Sequence, residues 1–174
     1  MKSILSLILF QLFCNTISAQ KKCDYSINES QILANKNLDF FIDKMEHDKF
    51  TVCNDKNAIP KSILKQLDCI TDNFSIVNPG EKFQAGCIAE KNTAKRQLIF
   101  LAKSKDIIVM SYATGGFGTS THFLFIKFSS EKIEDLWTGV GMGIIKHTSI
   151  TEIVKFIAME RKSEFGLNTN IVYL

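Results

Sequence analysis

The chain contains 174 residues, of which 45% are hydrophobic and 22% are charged, and its formal net charge at pH 7 is +3. These values are ordinary for a globular domain and exclude a disordered, collagen-like or coiled-coil protein. A charge this close to neutral does not predict a polyanionic partner, so we expect no nucleic acid.

The first 19 residues have the layout of a secretory signal peptide. Lys2 provides the positive start, an apolar run of about ten residues follows, and Ala19 is the small residue before the cleavage point. The run is too short to span a bilayer, which takes about 20 apolar residues. We therefore predict a signal peptide over residues 1–19 and one exported domain over residues 20–174, periplasmic or extracellular and without a transmembrane segment. A buried N-terminal helix or a lipid-modified Cys14 are the alternatives.

Two helices are predicted near the start of the exported domain. Ser26-x-x-Glu29 is typical of a capping box, and apolar residues at helical spacing extend the first helix from about residue 28 to 47. Pro60 suits a first helical turn, so the second helix extends from about residue 60 to 70. The polar segment between the helices predicts a loop.

Segments rich in β-branched and aromatic residues follow the turn at Asn78-Pro79-Gly80. Four strands are predicted over residues 82–89, 97–102, 107–113 and 122–128, and a fifth candidate covers residues 133–138. The connections are too short for crossover helices, so the strands should form an antiparallel meander. Residues 97–102 and 122–128 are apolar on both faces, which predicts a sheet covered on both sides.

A local group of basic residues surrounds the second predicted strand. Its members are Lys91, Lys95, Arg96, Lys103 and Lys105. Because they flank a short apolar run, we interpret them as charged strand ends and turn residues rather than as a binding patch.

A last helix and a short strand complete the predicted fold. Ser149-x-x-Glu152 forms a second capping box, and apolar residues recur at helical spacing from Ile150 to Ala158. Residues 170–173 are predicted to form the final strand. The fold class is therefore α+β: two N-terminal helices on a meander of about five strands, with a C-terminal helix and strand.

The cysteines of the exported domain suggest two disulfides. They are Cys23, Cys53, Cys69 and Cys87. An even number in an exported domain is typical of a disulfide framework, and the absence of C-x-x-C spacing argues against zinc or redox chemistry. An antiparallel helix pair favours Cys23–Cys69 with Cys53–Cys87, although all three pairings stay open. We predict no free thiol.

Glycine is concentrated in two loops. The first loop contains Thr114, Gly115, Gly116, Phe117, Gly118, Thr119 and Ser120. Because glycine permits unusual backbone conformations, this segment is a candidate binding loop that presents Phe117 to a partner; a glycine bulge with Phe117 folded onto the sheet is the alternative. The second loop, residues 139–143, lacks dinucleotide-binding spacing and is expected to be a flexible turn.

Ser120 and His122 should share one face of a strand, which makes them a candidate catalytic pair. A serine hydrolase needs the two groups within hydrogen-bond distance and an acid that orients the histidine. The sequence indicates no such acid, no G-x-S-x-G motif, no metal-ligand spacing and no cofactor fingerprint. A structural histidine, hydrogen-bonded or half-exposed, is the favoured interpretation of His122.

These observations favour a non-catalytic binding protein, specifically an inhibitor or immunity-type protein whose partner is another protein of the cell envelope. The alternatives are a small envelope hydrolase that uses His122 with Ser120, and a carrier with a ligand cavity between sheet and helices. A carboxylate beside His122 in a concave pocket would favour the hydrolase.

Overall fold

The structure is a computed structural model that describes residues 23–71, 73–88, 91–116, 118–161 and 174. The α+β class predicted from the sequence is confirmed, with helices before and after the strands of one predominantly antiparallel sheet. The predicted signal peptide over residues 1–19, Phe117 of the predicted binding loop and the predicted strand over residues 170–173 lie outside the described residues. Within the described ranges, none of the helices has the length and apolar character that crossing a bilayer requires.

The described part of the chain contains four α-helices. They are α1 (Glu29–Leu33), α2 (Leu38–His47), α3 (Lys61–Thr71) and α4 (Ile150–Glu160), with a short 3-10 turn at Lys56–Ala58. The prediction of one continuous helix over residues 28–47 is wrong, because Asn35 adopts a φ of 52° in the turn between α1 and α2. Asparagine tolerates this left-handed conformation better than most residues do. The start of α1 is also different, since Asn28 caps it rather than Ser26.

Six strands form one sheet in the described part of the chain. They are β1 (Thr51–Val52), β2 (Ile76–Val77), β3 (Arg96–Lys103), β4 (Ile107–Thr114), β5 (Ser120–Ser129) and β6 (Lys132–Met142). Strands β3 to β6 form the predicted antiparallel meander in chain order. The two short strands share the outer edge of β3: β2 runs parallel to its start and β1 antiparallel to its end.

Two strand predictions are corrected by the structure. Residues 82–88 form no strand, because β2 already occupies the edge of β3 at that point and leaves the segment no strand to pair with. Residues 139–142, expected to be a turn, continue β6 instead. The glycines here make room for neighbours, since a Cβ atom on Gly139 would lie 2.6 Å from Cη2 of Trp137, and one on Gly141 would lie 2.6 Å from Cδ1 of Ile145.

Both faces of the sheet are covered, as the apolar strands predict. On one face, the ring of Phe125 lies 6.0 Å from that of Phe41 in α2, and the ring of Phe123 lies 5.3 Å from that of Phe156 in α4. Leu124 points to the opposite face and is also fully buried. The central strand β5 therefore contributes to two apolar layers at once.

One of the two predicted disulfides is present. Cys23–Cys69 is confirmed and joins the segment before α1 to the end of α3. The predicted Cys53–Cys87 disulfide is wrong, and so is the prediction of no free thiol, because both of these cysteines are free. Cys53 follows β1 and pairs with the end of β3, whereas Cys87 contacts Gly116 near the start of β3. Cys53 bonds to β3 at Leu101, and Cys87 lies near Arg96, five residues away along the strand. At about 3.3 Å per residue, this distance is far more than a disulfide spans.

Candidate functional site

A pocket of about 570 Å³ lies at the end of the sheet where β3 and β5 begin and β4 and β6 end. We call it the His122 pocket. Four residues of the predicted binding loop line it, namely Thr114, Gly115, Gly116 and Ser120. Gly118 and Thr119 of the same loop are exposed and do not line it.

The register of the sheet brings the polar side chains of the pocket together. Arg96, Thr114 and Ser120 lie opposite one another on three adjacent strands, so they form one row across the sheet. Tyr112 and His122 form the next row, two residues along β4 and β5. Since alternate residues of a strand share a face, both rows point to the same side. Residues far apart in the sequence therefore meet at one end of the sheet.

Three of these side chains form a closed polar cluster (Thr114, Ser120 and His122). Nε2 of His122 lies 3.0 Å from Oγ1 of Thr114 and 3.1 Å from Oγ of Ser120, and the two hydroxyl oxygens lie 2.9 Å apart. The prediction that Ser120 and His122 share a strand face is therefore confirmed. Each member contacts both of the others, so the cluster is held in one arrangement.

The ring of Tyr112 packs against one face of the His122 imidazole. The side chain of His122 is buried, and its imidazole is nearly parallel to the ring of Tyr112 at a centroid distance of 5.2 Å. This stacking fixes the plane of the imidazole and directs Nε2 toward the two hydroxyls. The interpretation of His122 as a structural histidine agrees with its burial, but His122 also lines the pocket.

Arg96 is the charged residue of the buried pocket wall. Its side chain is only 6% exposed, and its guanidinium carbon lies 4.5 Å from the centroid of Phe74 and 5.8 Å from that of Tyr112. Nη1 donates to the carbonyl oxygen of Asn73 at 3.1 Å, and Nη2 donates to the backbone oxygen of Leu174, the last residue of the sequence. Burial raises the pKa of Tyr112 to about 12, against the opposing effect of the Arg96 charge, so its hydroxyl stays neutral at physiological pH.

The segment that was expected to be a strand forms the outer wall of the pocket. A Cβ atom on Gly115 would lie 2.3 Å from the carbonyl oxygen of Gln84, so only glycine permits this close approach. The amide of Gly116 donates to the carbonyl oxygen of Ala85 at 3.4 Å, and the exposed thiol of Cys87 donates to that of Gly116 at 2.9 Å. Cys87 therefore lies at the rim of the pocket.

The pocket is lined by hydroxyl, imidazole and thiol groups and by two positively charged side chains, Arg96 and Lys95. The distance between Ser120 and His122 is short enough for proton transfer, but none of the described residues that line the pocket is Asp or Glu. The described residues also contain no group of three His, Cys, Asp or Glu side chains arranged to hold a metal ion. The hydroxyls of Thr114 and Ser120 and the imidazole of His122 are groups that can form hydrogen bonds with a polar ligand.

Sequence analysis found part of this site and missed the rest. Thr114, Ser120 and His122 were recognisable because they lie close together in one connection and the following strand. Arg96 was interpreted as a charged strand end, and its burial follows only from the pairing of β3 with β4. Cys87 was assigned to a disulfide that the structure lacks. The density of glycine around residue 115 was the one local signal of a close approach by another segment.

No protein-family model matches the chain, and no curated protein or solved structure is significantly similar to it. The functional conclusion below is therefore drawn from the geometry and chemistry of the His122 pocket.

Proposed function

We propose that this chain is an exported, non-catalytic binding protein that holds a small polar ligand in the His122 pocket. The observation that carries the proposal is the closed polar cluster of Thr114, Ser120 and His122 on the wall of a concave pocket of about 570 Å³. This volume is within the usual range of ligand sites, which combine a few fixed polar groups with apolar surface. The Cys23–Cys69 disulfide supports export, since such bonds persist in oxidising compartments.

The cluster supports binding because its donors are positioned by rigid elements before any ligand arrives. Thr114 and Ser120 lie opposite each other in paired strands, and Tyr112 holds the His122 ring. Groups that are already ordered lose little conformational entropy when they bind a ligand. Val140 of β6 adds apolar surface beside them.

The proposal is tested by closing the pocket chemically at Cys87. In a Cys53→Ser background, Cys87 is alkylated with a bulky maleimide, the protein is mixed with the low-molecular-weight fraction of an extract of its native host, and bound molecules are detected by native mass spectrometry. The control is the same reagent on Cys53 in a Cys87→Ser background. We expect a ligand on the unlabelled and Cys53-labelled proteins and none on the Cys87-labelled protein. Equal retention after both modifications would contradict the proposal.

A hydrolase is the second candidate, and the 3.1 Å distance between Ser120 Oγ and His122 Nε2 favours it. In that case Ser120→Ala would abolish hydrolysis of an activated ester such as p-nitrophenyl acetate, whereas Thr114→Val would retain it. We expect instead that wild type and both variants hydrolyse the ester at the rate of an unfolded control. The narrower prediction of an inhibitor that presents Phe117 to an envelope protein stays a prediction.

A further inference from the structure

We infer that His147 is an acid-operated latch on the connection between β6 and α4, which consists of residues 143–149. Protonation of its imidazole raises the population of a state in which this connection and α4 leave the sheet and expose the rings of Phe123 and Phe156. The latch lies on the face of the sheet opposite the His122 pocket, because Phe123 and His122 are consecutive residues of β5. It therefore does not depend on the proposed ligand.

Hydrogen bonds among the described residues attach the connection to β5 only at its start. Oγ1 of Thr121 donates to the carbonyl oxygen of Gly143 at 2.8 Å and accepts from the amide of Ile145 at 2.8 Å, and the amide of Gly143 donates to the carbonyl oxygen of Thr119 at 3.0 Å. Residues 144–148 form neither helix nor strand. The second half of the connection is therefore held by side-chain packing.

His147 provides that packing. Among residues 146–149 it is the one buried side chain, and its ring lies 5.6 Å from that of Phe123 and 5.2 Å from that of Phe156. Its buried Nε2 has no hydrogen-bond partner among the described residues. A protonated imidazole has an N–H on both ring nitrogens, and a buried charge needs partners for them. The packed position therefore suits the neutral ring and disfavours the charged one.

The start of α4 also disfavours a positive charge at this position. His147 lies two residues before the capping residue Ser149, so it faces the positive end of the helix dipole. Glu152 opposes this effect, and burial nevertheless lowers the pKa of His147 from the ordinary value of 6.5. Hydrogen bonds from Thr148 lower the pKa of Glu152, so this carboxylate keeps its charge in mild acid. Of the two groups, His147 is the one that titrates there.

The remaining neighbours do not compensate a charge on the ring. The residues paired with Phe123 in the adjacent strands are Ser111 and Gly139, which are uncharged. Lys146 and Lys155, the nearest lysines along the chain, are positive and exposed to solvent. A closed state that resists a proton and an open state that accepts it shift toward opening in acid, by up to about tenfold between about pH 7.5 and 5.5 for one histidine.

The test is native-state hydrogen exchange of the full exported chain at both pH values, with the rates corrected for the intrinsic effect of pH. We expect the opening constant of the α4 amides, such as Val154 and Ile157, to rise by up to about tenfold at the lower pH. Trp137 is the internal control, because its ring stacks on Phe125 on the side of the sheet that α2 covers. Its fluorescence should stay that of a buried indole at both pH values.

His147→Gln and His147→Phe cannot take up a proton in this range, so exchange in α4 should then be the same at both pH values. His147→Phe keeps an aromatic ring in the connection and decides the question if His147→Gln does not fold. The matched control is His47→Gln, which changes an exposed histidine of α2 and should keep the wild-type response.

A latch at His147 is excluded if α4 of the wild type exchanges equally at both pH values, or if the folded His147 variants respond to pH as the wild type does. A parallel change in the emission of Trp137 would exclude it as well, because acid would then unfold the whole domain rather than release α4.

Discussion

The side chain of His147 lies between the rings of Phe123 and Phe156, at centroid distances of 5.6 and 5.2 Å, and its buried Nε2 has no acceptor among the described residues. Burial lowers its pKa from the ordinary value of 6.5, and the carboxylate of Glu152 opposes this effect only in part. The folded state therefore disfavours the protonated ring. A single buried residue thus links the packing of α4 to pH.

We expect the free energy of unfolding to decrease as the pH falls below about 6.5, because the unfolded chain then binds a proton that folded His147 resists. The contribution of His147 to stability is fully present above about pH 6.5 and is lost as the pH falls through the lower pKa of His147 in the folded state. Urea denaturation between about pH 7.5 and 5.5 measures the slope, and His147→Gln should flatten it. His47 is the control: Asp43 raises its pKa, so His47→Gln should make the acid loss steeper. If the free energy of unfolding of His147→Gln depends on pH as that of the wild type does, His147 is not the cause of the acid sensitivity.

Gly115 permits the contact that builds the outer wall of the pocket, where a Cβ atom would lie 2.3 Å from the carbonyl oxygen of Gln84. We expect Gly115→Ala to destabilise the protein by about 1–3 kcal/mol, because backbone atoms must move to admit the methyl group. Gly86→Ala is the matched control, since a Cβ atom there meets nothing within 4 Å, and it should change stability by less than about 0.5 kcal/mol. Thermal denaturation compares the two. Equal melting temperatures would show that the segment at Gln84 adapts without cost.

Among the elements, β5 connects the two apolar layers of the domain. Phe125 packs toward α2 on one face, and Leu124 is buried on the other. The strand is paired along its length with β4 and β6, so neither of its edges is open. The pocket lies where the same strand begins, which makes its geometry dependent on both layers.

Truncation on either face of β5 should therefore be costly. We expect Phe125→Ala to reduce the free energy of unfolding by about 3–5 kcal/mol and Leu124→Ala by about 2–5 kcal/mol. Met159→Ala provides the control, because that side chain is 65% exposed, and should cost less than about 0.5 kcal/mol. Urea denaturation measures all three. A neutral effect at position 124 or 125 would show that one face of the sheet is uncovered.

Elements with a strong local pattern were predictable, and elements that depend on distant partners were not. Strands β3 to β6 and helices α3 and α4 follow from periodicity and capping residues. The two-residue strands β1 and β2 exist only because the edge of β3 accepts them, which no local pattern reports. The break at Asn35 was missed because apolar spacing continues across it. In the pocket, Ser120 and His122 were found as neighbours, whereas Arg96 required knowledge of the strand register.

At the scale of the whole molecule, the described residues contain one disulfide and two free thiols in place of the predicted pair of disulfides. We expect the exported chain, without residues 1–19, to show two free thiols when it is unfolded without reduction and titrated with a thiol reagent. Joint replacement of Cys23 and Cys69 by alanine should lower stability by up to about 4 kcal/mol, since that bridge links residues 46 positions apart. No free thiol in the titration would contradict the structure.

The most direct test of ligand binding in the His122 pocket measures two alkylation rates in one molecule. The folded wild-type chain is treated with a small alkylating reagent, with and without the low-molecular-weight fraction of the host extract, and mass spectrometry of the peptides follows Cys87 and Cys53. Because Cys87 lines the pocket and Cys53 lies at the other end of β3, a bound ligand should slow the reaction of Cys87 and leave that of Cys53 unchanged. Equal rates at Cys87 with and without the extract would contradict ligand binding in this pocket.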